Sequence, residues 1–202
     1  MAHKTTDPAA LFFPGRSWAG QLLRLFGWRI EFSGLPGRQG VIAVYPHTSN
    51  WDFPVGLLAK WALGLPVRFW AKDSLFRTPL LGPFMRWVGG IAVDRSAAHG
   101  LVGSTVQQMQ AARQQGEWFW LALAPEGTRR PVPGWRSGFY RVALGAQVPL
   151  GVASLDYGRR VVRLTDFLTL SGDEAQDLTR IAACLEGVRG FNPAAAGPVR
   201  LV

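Results

Sequence analysis

The chain has 202 residues, of which 48% are apolar and only 17% are charged. This length fits one domain, and this composition excludes a disordered chain or a fibrous repeat. The formal net charge of +9 is carried almost entirely by arginine, since Lys4, Lys60 and Lys72 are the only lysines, and nine tryptophans and twelve phenylalanines accompany it. These features indicate an anionic partner: a nucleic acid, a phosphorylated substrate or the headgroup layer of a membrane.

The cysteine content and the N-terminus exclude several classes of protein. The single cysteine, Cys184, cannot form an intramolecular disulfide, and the sequence has no Cys/His cluster of the kind that binds structural zinc. The N-terminus lacks the pattern of a secretory signal, and its apolar stretch is interrupted by Arg16, Arg24 and Arg29. We therefore expect a protein of the cytoplasmic side that does not cross a bilayer.

The first predicted element is an amphipathic helix at 17–29, within an apolar N-terminal segment at 1–34. Large apolar residues recur in it at helical spacing: Trp18, Leu22, Leu25 and Phe26. Two interpretations stay open, a first helix that packs on the core and a helix that docks on a membrane while its arginines reach the headgroups. We take 1–34 as a membrane-associating segment.

From residue 41 onward, short apolar runs alternate with amphipathic stretches. The runs predict strands at 41–45, 67–71, 88–93, 118–124, 148–154 and 160–167. The stretches predict helices at 51–63, 74–87, 100–115, 137–146 and 173–188. This alternation is typical of a single α/β domain, here 35–190, with a mixed, largely parallel sheet flanked by helices. We expect residues 191–202 to form a loose tail.

A histidine and an aspartate follow the first of these strands. His47 leaves the end of strand 41–45, and Asp52 lies in the first turn of the next helix. A turn between them can bring the carboxylate to the imidazole, which is the arrangement of a general base and the group that orients it. The alternative is a loop histidine beside a carboxylate that the helix dipole favours.

A second cluster of polar residues follows the most apolar strand, 118–124. Glu126, Gly127, Thr128 and Arg129 come directly after it. Glycine permits a close backbone approach, and a guanidinium can bind a phosphate with two hydrogen bonds. The alternative is an ion pair between Glu126 and Arg129 that closes a loop.

Two more cations end strand-like segments. Arg95 ends the stretch 89–95, and Lys72 follows the strand at 67–71. Each taken alone fits a solvated surface charge. Together with Arg129 they place cations at the ends of three predicted strands, where α/β sheets carry their sites.

The chain resembles the glycerolipid acyltransferase family, the 1-acylglycerol-3-phosphate acyltransferase-like enzymes. Four blocks carry the resemblance in the order of the family: H-x-x-x-x-D from His47 to Asp52, the D-R block at 89–95, E-G-T-R at 126–129 and V-P-L at 148–150. The resemblance covers about residues 35 to 165. One block alone would be a weak signal, whereas four in the right order and spacing are specific.

The resemblance implies transfer of a fatty acyl group from acyl-CoA or acyl-carrier protein to the free hydroxyl of a lysophospholipid, without metal, other cofactor or covalent acyl-enzyme. His47 would be the general base, and Asp52 would orient it and balance its charge. Arg129, with Arg95 and Lys72, would hold the phosphate of the acceptor. Three further residues would shape that pocket: Glu126, Gly127 and Thr128.

The resemblance also implies docking on an anionic membrane surface, as a peripheral or monotopic protein on the cytoplasmic face of the bacterial inner membrane. Residues 51–53 and 134–140 resemble a bacterial subgroup and do not identify the acceptor, so 1-acylglycerol-3-phosphate, a related monoacylated lipid and a lyso-aminolipid all stay open. A non-catalytic peripheral lipid-binding protein is the alternative function. The scattered arginines argue against nucleic acid as the partner, and a serine hydrolase is disfavoured because no G-x-S-x-G motif is present.

Overall fold

Within residues 10–93 and 100–202, which the computed structural model describes, seven strands form one sheet. They are β1 (Arg29–Phe32), β2 (Gln39–Tyr45), β3 (Val67–Lys72), β4 (Gly90–Val93), β5 (Phe119–Leu123), β6 (Leu150–Asp156) and β7 (Val161–Leu168). Across the sheet the order is β1-β7-β6-β2-β5-β3-β4. Neighbours from β6 to β4 are parallel, whereas β7 is antiparallel to β6 and β1 is parallel to β7. The predicted α/β domain with a mixed, largely parallel sheet is confirmed.

Helices cover both faces of the sheet. They are α1 (Ser17–Leu25), α2 (Asp52–Ala62), α3 (Leu81–Trp87), α4 (Leu101–Gln114), α5 (Gly138–Ala146) and α6 (Glu174–Cys184). Residues of α4, α5 and α6 share one core cluster with the sheet, while residues of α1 and α2 share another on the opposite face. Strand β6 is buried at every position because both of its faces are covered.

The N-terminal helix is shorter than the predicted helix at 17–29. It ends at Leu25, Gly27 turns the chain with a φ of +76°, and β1 follows, a strand that the sequence did not predict. Ala19 and Leu23 are buried, so one face of α1 packs on the core, as one of the two interpretations expected. Among the described residues, no helix has both the length and the apolar character needed to cross a membrane.

The predicted helix at 74–87 consists instead of two shorter elements, a 3-10 turn at Asp73–Phe76 followed by α3. Pro79 disfavours helical backbone at Thr78, the residue before it, so the first turn does not continue. A side chain at Gly82 would also collide with the Phe76 carbonyl, since its Cβ would lie 2.3 Å from that oxygen. The glycine therefore permits the tight packing of α3 on the preceding turn.

The C-terminal residues 191–202 differ from the loose tail that we expected. Asn192 donates hydrogen bonds to the hydroxyl and the carbonyl oxygen of Thr48, at 3.2 and 3.0 Å. Farther along, the Gly197 N–H donates to Glu126, and the Val202 N–H donates to the Trp135 carbonyl. Hydrogen bonds thus fix the tail to residues of the H-x-x-x-x-D and E-G-T-R blocks.

Candidate active site

The topology of the sheet brings three distant parts of the chain together. Parallel strands place their carboxyl ends at one edge, and β2 lies between β5 and β6. His47 follows β2, Glu126 follows β5 and Tyr157 follows β6 directly. Their side chains and backbones therefore meet at this edge, although 110 positions of sequence separate the first from the last.

His47 and Asp52 form the centre of the site. The distance from His47 Nδ1 to the nearer Asp52 carboxylate oxygen, Oδ2, is 3.2 Å, and the two side chains are 20% and 2% exposed. The Ser49 N–H also donates to Oδ2, at 2.9 Å, which closes the turn between strand and helix. Because Nδ1 faces the carboxylate, Nε2 is the imidazole nitrogen left to meet a substrate.

Tyr157 completes the surroundings of the carboxylate, and the sequence analysis missed it. Its hydroxyl donates to Asp52 Oδ1 at 2.8 Å. Burial, together with the hydrogen bond to Asp52 and the charge of that carboxylate, raises the pKa of Tyr157. The ring packs edge-on against Trp28 and Phe191, with centroids 4.8 and 5.4 Å away. The available signal was its position three residues after the predicted strand at 148–154, at the edge of the sheet that carries His47.

Glu126 is a buried connector. Its Oε2 accepts the His47 backbone N–H at 2.5 Å, and its Oε1 accepts the Gly197 N–H at 2.8 Å. The side chain is 2% exposed, and burial raises the pKa of Glu126 despite these two hydrogen bonds, which lower it. Both oxygens bind backbone N–H groups, so the alternative of an ion pair with Arg129 is not what the structure shows.

The rest of the E-G-T-R turn lies beside the histidine. Arg129 Nε donates to the Ser49 carbonyl oxygen at 3.0 Å, which ties this exposed guanidinium to the turn between His47 and Asp52. Gly127 has a φ of +67°, a conformation that favours glycine. The hydroxyl of Thr128 accepts the N–H of Arg130 at 3.3 Å.

Of the other two predicted cations, Lys72 and Arg95, the structure describes only Lys72. Lys72 is exposed at the end of β3, in register with Val93 of β4, and therefore lies at the same edge of the sheet. Val93 lines the cleft beside His47, whereas Lys72 does not. Arg95 lies outside the described residues.

A cleft of about 380 Å³ opens beside His47. Much of its wall is apolar, formed by Trp70, Val93, Leu101, Val102 and Leu123. Two arginines that the sequence analysis did not select, Arg136 and Arg141, also line it. Arg136 stands in the stretch 134–140, and its position soon after the E-G-T-R block was the signal that could have found it. Within residues 10–93 and 100–202, no group of three His, Cys, Asp or Glu side chains is arranged to hold a metal ion.

Comparison with known proteins agrees with this architecture. The family model of the acyltransferases matches residues 29–151, more than half of the chain, and the chain therefore belongs to the acyltransferase family. The matched segment includes His47, Asp52 and the E-G-T-R turn. The family resemblance and the expectation of an acyltransferase enzyme are thus confirmed.

A solved structure shares the fold. The crystal structure of PlsC, the 1-acyl-sn-glycerophosphate (LPA) acyltransferase from Thermotoga maritima, aligns with a TM-score of 0.52 at 18% sequence identity. The alignment covers 84% of this chain and 74% of that one. No curated protein sequence gives a significant match.

The contacts of Glu126 predict a structural role. Glu126→Ala leaves the N–H groups of His47 and Gly197 without their partner, and an unsatisfied buried donor costs about 1–3 kcal/mol. We expect the free energy of unfolding in urea to fall by at least that amount. The exposed Glu186 offers a matched control, because Glu186→Ala should change it by less than about 0.5 kcal/mol. Equal effects of the two substitutions would contradict the connecting role.

Proposed function

We propose that the chain transfers a fatty acyl group from acyl-CoA or acyl-carrier protein to the free hydroxyl of a lysophospholipid, 1-acylglycerol-3-phosphate or a related monoacylated lipid. The observation that carries the proposal is the His47–Asp52 pair, which lies at a largely apolar cleft within the segment that matches the acyltransferase family. The fold shared with PlsC, named for 1-acyl-sn-glycerophosphate, supports this acceptor class.

The chemistry needs one base. As the acceptor oxygen attacks the thioester carbonyl, its proton passes to His47 Nε2, and the carboxylate of Asp52 stabilises the imidazolium that forms. The new C–O ester bond forms, the C–S bond breaks, and the leaving thiolate takes the proton back from the imidazolium. The hydroxyl of Tyr157 and the N–H of Ser49 keep the carboxylate in place. The reaction written in this way uses no metal or other cofactor.

The acceptor carries a phosphate, for which Arg129 is the proposed ligand. Its guanidinium is exposed yet tied to the turn that holds the catalytic pair, so a bound phosphate would lie near the base. Lys72 lies at the same edge of the sheet and supports this role. For Arg95 we propose the same role on the basis of its place in the D-R block of the sequence. The turn formed by residues 126–128 would shape the pocket.

A surface rich in aromatic and aliphatic side chains runs across α1, α2 and α3. We call it the aromatic surface; its exposed members are Trp18, Leu22, Leu25 and Phe26 around α1, and Leu80, Leu81, Phe84 and Trp87 around α3. Trp61 of α2 connects the two groups, because its ring centroid lies 5.5 Å from that of Trp18 and 5.7 Å from that of Trp87. The guanidinium of Arg16 lies over the Trp61 ring at 5.9 Å.

Exposed aromatic and aliphatic side chains beside arginines suit the boundary between lipid headgroups and acyl chains. We therefore propose a peripheral location on the cytoplasmic face of an anionic membrane. The proposed docking region extends beyond the segment 1–34 to include α3. The domain that contains the sheet would therefore contact the membrane directly and bind a membrane-embedded acceptor there.

The role of the base predicts a large loss of activity on His47→Ala. General base catalysis contributes about a factor of 10² to 10⁴, so we expect kcat to fall at least hundredfold with acyl-CoA and a detergent-presented lysophospholipid. The side chain is partly exposed, so the melting temperature should change little. Undiminished turnover in the variant would exclude the mechanism. Lipid binding without any turnover by the unmodified protein would favour the non-catalytic lipid-binding alternative.

The aromatic surface predicts a defect in membrane binding. Leu25→Glu combined with Leu80→Glu places one charge on α1 and one before α3, and we expect affinity for vesicles containing anionic lipid to fall at least tenfold in co-sedimentation. Gln107→Glu with Gln110→Glu adds the same charge to the exposed side of α4, on the opposite face. Equal binding by the two double variants would contradict the proposed surface.

A further inference from the structure

We infer that Arg136 and Arg141 form a second anion subsite, distinct from Arg129, which binds the phosphates of the thiol carrier of the acyl donor. The inference rests on the proposed function and assigns the two substrates to different groups of arginines. Both guanidinium-bearing residues are exposed and line the cleft beside His47.

The backbone of Arg136 is held firmly. Its N–H donates to the Pro125 carbonyl oxygen at 2.9 Å, which joins it to the turn that follows β5. The preceding residue, Trp135, is fully buried. Its backbone N–H donates to the Arg200 carbonyl oxygen, and its carbonyl oxygen accepts the Val202 N–H. The Arg136 side chain passes close to Gly127, since a Cβ at that position would lie 3.1 Å from Arg136 Nε, a tight contact. The glycine therefore gives the arginine room at the E-G-T-R turn.

Arg141 is positioned by a helix that is anchored in the core. Its N–H donates to Ser137 at 2.9 Å, and its neighbours Tyr140 and Val142 are buried. Within residues 10–93 and 100–202, neither Arg136 nor Arg141 pairs with a carboxylate. Two exposed guanidinium groups without such a partner in one cleft are suited to a phosphate, which each can bind with two hydrogen bonds.

The cations of the site fall into two groups. Arg129 is bonded to the turn that holds His47 and Asp52 and does not line the cleft, whereas Arg136 and Arg141 line it. The proposed reaction brings a phosphorylated lipid and a phosphorylated thiol carrier to one base. Two like charges repel most strongly at short distance, so separate cationic subsites allow both to bind together.

The wall of the cleft supports its assignment to the donor. Trp70, Leu101 and Leu123 provide apolar contact for the uncharged arm and the acyl chain of a thioester, beside the two arginines. His47 lines the same cleft, so a thioester carbonyl bound there would lie within reach of an acceptor oxygen whose proton the imidazole takes. Coenzyme A, with a diphosphate and a ribose phosphate, is the probe of choice for this subsite.

The kinetic experiment compares thioesters with and without phosphates. For the double variant Arg136→Gln/Arg141→Gln we expect the KM for acyl-CoA to rise at least tenfold, because each lost charge-assisted hydrogen bond weakens binding of the phosphate. The KM values for acyl-N-acetylcysteamine, which lacks phosphates, and for 1-acylglycerol-3-phosphate should stay within twofold. Arg129→Gln is the reciprocal variant, and it should raise the KM of the acceptor rather than that of acyl-CoA.

Two kinetic outcomes would overturn the inference. A rise confined to the KM of the acceptor in the double variant would show that these arginines bind the lipid headgroup. Unchanged KM values for both substrates would show that they bind neither.

A binding measurement separates this inference from the proposed function. By calorimetry with coenzyme A alone, the double variant should bind at least tenfold more weakly than the unmodified protein, with unchanged circular dichroism. Arg136→Lys/Arg141→Lys, which keeps both charges, should restore part of the affinity. Absence of binding of both coenzyme A and holo-acyl-carrier protein to the unmodified protein would overturn the inference, whereas binding without acyl transfer from either donor would support it and refute the proposed function.

Discussion

Burial of the Asp52 carboxylate is the constraint on which the geometry of the site depends. A carboxylate withdrawn from water is costly unless hydrogen bonds replace the lost hydration. Here Oδ2 meets His47 and the N–H of Ser49, while Oδ1 accepts from Tyr157. These partners come from the ends of β2 and β6 and from the turn before α2, so the order of strands in the sheet must be correct before the carboxylate is satisfied.

Glu126 repeats this arrangement one strand away. It joins the backbone of His47 to that of Gly197, and the C-terminal residues thereby become part of the wall of the site. The two buried carboxylates differ in their partners: Asp52 contacts the imidazole, whereas Glu126 binds backbone N–H groups. Both residues follow parallel strands at the same edge of the sheet. Because of their different partners, we relate Asp52 to the proposed chemistry and Glu126 to the structure that supports it.

The excess of arginine and the aromatic content now have separate structural uses. Arg129 lies at the turn between His47 and Asp52, Arg136 and Arg141 line the cleft, and Arg16 lies over a tryptophan of the aromatic surface. Trp18 and Trp87 are exposed, and half-buried Trp61 joins them through ring contacts, so the exposed rings form one connected surface, which is typical of an interaction surface. One anionic partner, phospholipid, would account for the charge both as substrate and as surface.

The sequence predicted what is local and missed what depends on strand order. The apolar runs predicted six of the seven described strands. The spacing from His47 to Asp52 predicted their contact, because the four residues between them form one short turn between a strand and a helix. Tyr157 and Gly197 escaped prediction because they reach the site through the placement of β6 beside β2 and through the path of the tail. Strand β1 was missed because it has only four residues and begins at Arg29, the last residue of the predicted helix at 17–29, which Gly27 ends early with a positive φ.

The most direct test of the central claim, that Asp52 activates His47 for acyl transfer, is the turnover of Asp52→Asn with acyl-CoA and 1-acylglycerol-3-phosphate. The amide has nearly the same shape as the carboxylate but cannot balance an imidazolium, so kcat per folded molecule should fall about a hundredfold or more. Asp177→Asn changes another fully buried carboxylate, one bonded to Tyr140 and Ser171 away from the cleft, and should leave kcat unchanged. Turnover by Asp52→Asn equal to that of the unmodified protein would contradict the account.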